Sequence, residues 1–110
     1  MRVKIEWTRR ARRDVLEIGD FIARDKPVAA ARWARLLIDT TERIALFPSS
    51  GRVVPEVGRP DIREVILECY RIVYHLGATR ISILTVFESH RLLTDDDLDL
   101  RTKRSGFPRG

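Results

Sequence analysis

The feature that most constrains the fold is a change of pattern at residues 48–51, where a proline, two serines and a glycine interrupt the chain. Before this break, apolar residues recur every three or four positions, which is typical of amphipathic helices. After it, β-branched and aromatic residues gather in short runs, which is typical of strands. The sequence therefore predicts helices and strands segregated along the chain, the α+β class.

The first half predicts one strand followed by two helices. Residues 3–7 alternate apolar with charged side chains, as in a strand that buries one face. Thr8 stands at a helix N-cap position, and the spacing of apolar residues predicts a helix over residues 9–24. Pro27 suits the first turn of a second helix that runs to about Phe47, and so short a connection predicts an antiparallel hairpin. The inward stripe of this second helix is predicted to be Ala30, Trp33 or Ala34, Leu37, Thr41 and Ile44.

The second half predicts three consecutive strands, over residues 62–68, 70–76 and 80–88, with residues 77–79 as a hairpin turn. Residues 52–56 look extended as well. Together with the opening strand, this gives a sheet of four or five antiparallel strands with the helical hairpin packed on one face, in the order β-α-α-β-β-β. The opposite face is expected to be more open.

The length of the chain predicts a single domain. Its 110 residues hold one core, and we expect a domain over residues 1–102, with Thr94 capping a short helix, and a loose tail over 103–110. The lone Cys69 cannot form an internal disulfide and is predicted to be a packing residue. No apolar run is long enough for a bilayer, and the N-terminus lacks the apolar stretch of a signal peptide, so a cytoplasmic protein without membrane contact is expected.

The charge indicates an anionic partner. The net charge is +5 and the pI is near 10.1, which fits nucleic acid, an acidic protein segment or a ribosome. Of the 21 basic residues 18 are arginine, whose planar fork of donors suits phosphate and carboxylate, although a GC-rich genome gives the same bias without any function. Arg9, Arg10, Arg12 and Arg13 open the first helix but spread around it, so they do not form one flat recognition face.

Four segments together carry a resemblance to a known family. They are Gly-Arg-Val-Val-Pro-Glu at 51–56, Ile-Arg-Glu at 62–64, Tyr-Arg-Ile-Val-Tyr at 70–74 and Ile-Leu-Thr-Val at 83–86. With the opening strand and the helical hairpin, their order and spacing resemble the RelE/ParE superfamily over nearly the whole chain. The resemblance implies the toxin of a type II toxin–antitoxin system, with the first strand beside the last. It also implies hetero-oligomers with a labile antitoxin, which we expect to bind an apolar groove rimmed by arginine.

The superfamily divides by target, and the division leaves alternatives open. ParE-like members inhibit DNA gyrase, whereas RelE-like members cut messenger RNA on the ribosome. The ParE-like interpretation leads, because few residues of a nuclease site are present. The alternative is an enzyme, a ribosome-dependent and metal-independent endoribonuclease. A weaker alternative, motivated by charge alone, is a non-toxic basic module that binds nucleic acid.

The candidate catalytic residues follow from the resemblance. RNA cleavage without a metal needs a base near the 2′-hydroxyl, an acid near the leaving oxygen and positive charge around the phosphate. His90 stands where nuclease members carry a general acid, and Arg71 where they contact the scissile phosphate. Arg52 and Glu56 lie in a loop that holds further catalytic groups, Glu56 as the base, and Arg91 would add positive charge beside His90. His90 has a second interpretation as an exposed strand-end residue without a role, and Arg52, Glu56 and Arg91 have one as solvated loop or rim charges. The resemblance also implies that gyrase-directed members often keep an arginine in the motif of Arg71, so Arg71 does not separate the two classes.

Other observations argue against a nuclease or a cofactor site. Arg80 is the one cation in the last strand, and Glu88 near His90 would repel a phosphate unless it orients the imidazole. His75, in mid-strand, is expected to be a packed or rim residue. No His, Cys, Asp or Glu residues have metal-ligand spacing and no glycine-rich phosphate loop is present, so neither a metal nor a cofactor is expected.

Overall fold

The structure is a computed structural model that describes residues 2–98, apart from the side chains of Asp95 and Asp96. In this part the chain forms a strand, two long helices, a single-turn 3-10 helix (Pro48–Ser50), four further strands and a short α-helix. None of its helices is both long enough and apolar enough to cross a membrane. The predicted domain boundary at residue 102 and the tail over 103–110 lie outside the described residues.

Two helices form the predicted hairpin: α1 spans Arg9–Asp25 and α2 spans Pro27–Leu46. Thr8 begins α1 as predicted, because its Oγ1 accepts a hydrogen bond from the backbone N–H of Ala11 at 3.1 Å. The same hydroxyl donates to the carbonyl oxygen of Ile83 at 2.8 Å and so ties the helix to the sheet. Pro27 begins α2 after a connection of one residue, where the first helical position needs no N–H donor.

Five strands form one sheet, in the spatial order β1-β5-β4-β3-β2. Their bounds are β1 Lys4–Trp7, β2 Arg52–Val53, β3 Ile62–Leu67, β4 Tyr70–Leu76 and β5 Arg80–Glu88. The predicted order of elements and the place of β1 beside the last strand are confirmed. One detail differs, since β1 and β5 run parallel while the other pairs are antiparallel. The long connection over residues 8–79 permits either direction, so the alternation in β1 could not decide it.

The helical hairpin covers one face of the sheet, as predicted. Trp33 and Leu37 of α2 and Ala11 of α1 are buried there. The sheet contributes Ile72, Tyr74, Ile81, Ile83 and Val86. Of the two alternatives for the inward stripe, Trp33 is buried and Ala34 is exposed. The Trp33 ring packs edge-on against Tyr70, with 5.5 Å between ring centroids.

The opposite face of the sheet is less open than the sequence predicts. A second apolar cluster lies there, made of Val54, Ile62, Val73, Leu84, Phe87, Leu93 and Leu98. The last of these residues ends a short helix, α3 (Asp95–Leu98). Thr94 caps it as predicted, since its Oγ1 accepts a hydrogen bond from the backbone N–H of Asp97 at 3.3 Å. The segment around α3 therefore covers part of the face that the hairpin leaves free.

Cys69 lies in the turn between β3 and β4 and is exposed, so the prediction of a packing residue is wrong. The turn consists of Glu68 and Cys69, and Glu68 has the left-handed φ of 57° that reverses the chain. A residue at such a turn lies beyond the ends of both strands, where neither helix nor sheet buries it.

Tyr74 fastens the loop between α2 and β2 to the sheet. Its buried hydroxyl donates to the carbonyl oxygen of Pro48 at 2.7 Å and accepts from the backbone N–H of Gly51 at 3.0 Å. A Cβ at residue 51 would lie 2.6 Å from that hydroxyl oxygen, so this close approach requires glycine. The contact fixes the chain directly before β2, which carries Arg52, and before the β2–β3 loop, which carries Glu56.

Candidate functional site

Arg71 is the most enclosed of the predicted site residues, with a side chain 5 % exposed. Its Nη1 and Nη2 donate to the two carboxylate oxygens of Glu56 at 2.7 and 2.9 Å. Its Nε donates to Glu64 at 2.6 Å, and Nη1 also donates to the carbonyl oxygen of Arg91 at 3.0 Å. The guanidinium lies 5.1 Å from the centroid of the Phe87 ring. Protein groups therefore occupy the donors with which this arginine would hold a phosphate.

Glu64 of β3 compensates the buried charge of Arg71. The Glu64 side chain is sealed from solvent, and its second oxygen accepts from Nε of Arg52 at 2.5 Å. In the β3–β4 register Glu64 is opposite Val73, which puts it diagonal to Arg71 and within reach of a long side chain. A buried charge costs several kcal/mol unless it is paired, so the two side chains depend on each other.

Glu56 is held as an ionised hydrogen-bond acceptor. The hydrogen bonds from Arg71 lower its pKa to about 2, against the opposing effect of burial and with help from the backbone N–H of Leu93, which donates at 2.9 Å. A general base works best with a pKa near the operating pH. A carboxylate with this pKa accepts a proton poorly at neutral pH, so its surroundings do not suit Glu56 to the role of base.

Arg91 borders the same cluster and is paired as well. Its guanidinium stacks over Phe87 at 4.3 Å and donates to Asp97 at 3.0 and 3.1 Å. Asp97 also accepts from Arg10 at 2.7 Å and from the backbone and hydroxyl of Thr94. Burial raises the pKa of Asp97, but these hydrogen bonds outweigh it and hold the pKa well below its usual range. Arg91 therefore lies next to a carboxylate rather than next to an open anion site.

His90 lies outside this network. It is exposed in the turn that follows β5. Among residues 2–98, no hydrogen bond or ion pair joins its imidazole to another group. The turn itself is fixed by Ser89, whose backbone N–H donates to the carbonyl oxygen of Cys69 at 2.7 Å. The ring is accessible, but the described chain holds no group that would orient it as an acid.

The structure thus brings four of the five predicted site residues into one cluster. Arg71, Glu56 and Arg91 are in direct contact, and Arg52 joins them through Glu64. The cluster connects strands β2, β3 and β4, the β2–β3 loop and the segment before α3. Its geometry can hold these parts of the chain together, whereas a phosphate would have to displace a carboxylate from an arginine. Within the described residues, no group of three or more His, Cys, Asp or Glu could hold a metal ion.

Glu64, the residue that decides the state of Arg71, is not among the site residues predicted from the sequence. A signal was available in the two residues between β3 and β4. A two-residue turn fixes the register of a hairpin, which pairs Ile66 with Arg71 and places Glu64 on the same face, one pair further along. Asp97 and the Phe87 ring, against which Arg71 and Arg91 stack, gave no such signal. They reach the cluster through contacts between parts of the chain that lie far apart in the sequence.

The helical hairpin exposes large apolar side chains on its outer surface. Leu16 and Phe21 of α1 are each 68 % exposed, and Val28 and Ile38 of α2 are 84 % and 61 % exposed. Side chains of this kind are where a protein partner would bury apolar area.

The chain is similar in sequence to proteins named as toxins, and in fold to a chain of a solved toxin–antitoxin system. A family model for the ParE toxin of type II toxin–antitoxin systems, parDE, matches residues 5–93. Y4kP of Sinorhizobium fredii, described as a toxin, is 38 % identical over 93 residues, which are 82 % of this chain and 92 % of that protein. Toxin RelE2 of Caulobacter vibrioides is 30 % identical over 90 residues, 81 % of this chain and 98 % of that protein. A solved chain of the chromosomal ParDE system from P. aeruginosa shares the fold, with a TM-score of 0.66 at 20 % identity, over 78 % of this chain and 95 % of that one.

Proposed function

The chain belongs to the ParE family, the toxins of type II toxin–antitoxin systems, and we propose that it arrests growth by binding DNA gyrase rather than by cutting RNA. An antitoxin is its partner in such a system. The observation that carries the proposal is the enclosure of Arg71 between Glu56 and Glu64. Because gyrase and ribosomes are both cytoplasmic, we place the protein in the cytoplasm.

The enclosure of Arg71 speaks against phosphate chemistry. Catalysis of RNA cleavage depends on preorganised donors aimed at the place where negative charge develops. The donors of Arg71 are instead aimed at two carboxylates, and a phosphate brought to them would meet negative charge on both sides. Inhibition by binding needs no such donors, since it depends only on a surface that fits the target.

Two observations favour a ribosome-dependent nuclease as the second candidate. One relative carries the name RelE2, and His90 is exposed at the end of β5 where a general acid would stand. In that case Arg71, Arg52, Glu56 and Arg91 would have to exchange their present partners on binding RNA. A non-toxic nucleic-acid-binding module is the third candidate, and its sign would be binding to free DNA or RNA that weakens steeply with salt.

The test compares purified wild-type protein with His90→Ala, and with Ser89→Ala as a control in the same turn. We expect all three to inhibit supercoiling of relaxed plasmid by gyrase to the same extent, and all three to be toxic in cells with signs of DNA damage. If His90 acted as a general acid, its loss would slow cleavage about a hundred- to ten-thousand-fold. Ribosome-bound transcripts cut by the wild type and left whole by His90→Ala would overturn the proposal in favour of the nuclease.

A further inference from the structure

A pocket of about 340 Å³ opens between α1 and the neighbouring ends of β4 and β5. Ile18 and Phe21 of α1 and Tyr70 of β4 give it apolar walls, and Phe21 is 68 % exposed. Its acidic lining residues are Asp14, Glu17 and Glu88. The pocket is therefore apolar and negatively charged, although the chain as a whole carries a net charge of +5 and an arginine-rimmed groove is what the sequence predicts.

The inner wall of the pocket is part of the fold. Asp14 accepts hydrogen bonds from Thr85 Oγ1 at 2.6 Å and from the backbone N–H of Val86 at 3.1 Å. Arg10, one helical turn earlier, lies 3.6 Å from the same carboxylate. These contacts compensate the charge of Asp14 within the fold. The other two carboxylates of the pocket, Glu17 and Glu88, lie further out and are available to a ligand.

The outer carboxylates are uncompensated within the described chain. Neither Glu17 nor Glu88 has an ion-pair partner among residues 2–98. Arg91 also lines the pocket, but its guanidinium is bonded to Asp97 at 3.0 Å. A segment that carries both positive charge and an apolar side chain would therefore complement this pocket.

The chain itself supplies such a segment directly after the described residues. Asp97, one residue before the end of the described part, contacts the pocket wall through Arg91. Residues 99–110 include one acidic residue, Asp99, and one aromatic residue, Phe107. Their four basic residues are Arg101, Lys103, Arg104 and Arg109. At roughly 3.3 Å per residue, an extended chain of this length reaches about 40 Å, far more than the distance across one pocket.

We propose that the basic segment over residues 101–109 docks into this pocket of its own chain, with its cations facing Glu17 and Glu88 and Phe107 packing against Phe21. Charge complementarity and the point at which the described chain ends both support this occupant. The proposal is independent of the cellular target, since it concerns only the free protein.

The first test measures how fast trypsin cleaves the full chain after Arg101, Lys103 and Arg104, followed by mass spectrometry. We expect Glu17→Lys/Glu88→Lys to be cleaved there several-fold faster than the wild type. Asp20→Lys/Asp39→Lys makes the same change of net charge at exposed carboxylates that do not line the pocket, and should match the wild type. Raising the salt concentration should accelerate cleavage of the wild type, which keeps the test valid if the pocket variant unfolds. Equal rates for wild type and pocket variant, together with no effect of salt, would overturn the proposal.

The second test uses Cys69, the sole cysteine, which is exposed beside Tyr70 at the pocket. A nitroxide attached to Cys69 should broaden the amide NMR signals of residues 101–109 in the wild type and not in Glu17→Lys/Glu88→Lys. Unbroadened signals in the wild type would overturn the proposal. A control mixes ¹⁵N-labelled protein that has no nitroxide with spin-labelled protein that has no ¹⁵N. Equal broadening in this mixture would show that the segment docks into the pocket of a second copy, and would overturn docking within one chain.

Discussion

The side chains of Arg71 and Glu64 face each other from adjacent strands, with Nε of the first 2.6 Å from Oε1 of the second and both nearly sealed from solvent. Two central strands are thus cross-linked by an ion pair on the sheet face opposite the helical hairpin. Water screens such a pair weakly, and removing Glu64 leaves the buried guanidinium of Arg71 with one carboxylate fewer to compensate its charge. The pair is therefore a requirement of the fold, whatever the protein binds.

Removal of Glu64 should accordingly destabilise the protein. We expect Glu64→Ala to lower the free energy of unfolding by about 3–5 kcal/mol, because it leaves Arg71 without one of its two carboxylates. Urea denaturation measures this loss. Glu42→Ala is the control, since it breaks an ion pair with Arg2 in which both side chains are about half exposed, and it should change little. Equal losses for the two variants would contradict the structural role of Glu64.

The stability of the protein should depend on pH through Glu56. Hydrogen bonds from Arg71 lower the pKa of Glu56 from its usual 4.5 to about 2 in the folded protein. A carboxyl whose pKa is lowered on folding stabilises the fold above pH 4.5, and that contribution is lost as the pH falls from 4.5 towards 2. Glu56→Gln should therefore be less stable at pH 7 and lose less stability across this window. Urea midpoints at successive pH values measure how the stability changes with pH. Asp20→Asn, on the exposed face of α1, is the control and should show the same change as the wild type.

Local sequence signals were sufficient for the elements of the fold. Thr8 and Pro27 mark the starts of the helices because caps and first turns depend on neighbouring residues alone. The parallel direction of β1 and the neutralisation of Arg71 were not predicted from such local signals. Each depends on a group that lies far away in the sequence, β5 for the direction of β1 and Glu56 for the charge of Arg71, and single-residue patterns do not encode such contacts. The resemblance to nucleases could therefore place Arg71 in a site without showing that its donors are already taken.

A proline in β4 should unfold the domain. Val73 is buried in a strand with neighbours on both sides, opposite Glu64 and Thr85, so Val73→Pro removes a ladder hydrogen bond from the middle of the sheet. Arg9→Pro is the matched control, because residue 9 is the first of α1, where proline is tolerated, and Thr8 is already extended. Circular dichroism during heating distinguishes them. A cooperatively folded Val73→Pro protein would show that β4 is misplaced.

The antitoxin should bind the helical hairpin over a large apolar area. A complex that neutralises a toxin of this size should bury well above about 1,000 Å² and remain associated at micromolar concentration. Leu16→Glu, at a side chain 68 % exposed on α1, should weaken the complex by about tenfold or more. Ala78→Glu, in the exposed turn before β5, is the control and should bind normally. Calorimetry with the cognate antitoxin measures both, and ready dissociation of the wild-type complex at micromolar concentration would refute the prediction.

The position of β5 has a consequence for how the toxin is made. This strand lies between β1 and β4 in the sheet, yet it is the last of the five to be synthesised. Until the ribosome has released residues 80–88, the opening strand has no neighbour and the hairpin of β3 and β4 has an unpaired edge. A nascent chain is thus held in an incomplete state through most of its translation. The cell meets a finished toxin only at the end of each round of synthesis, after β5 has joined β1 to β4.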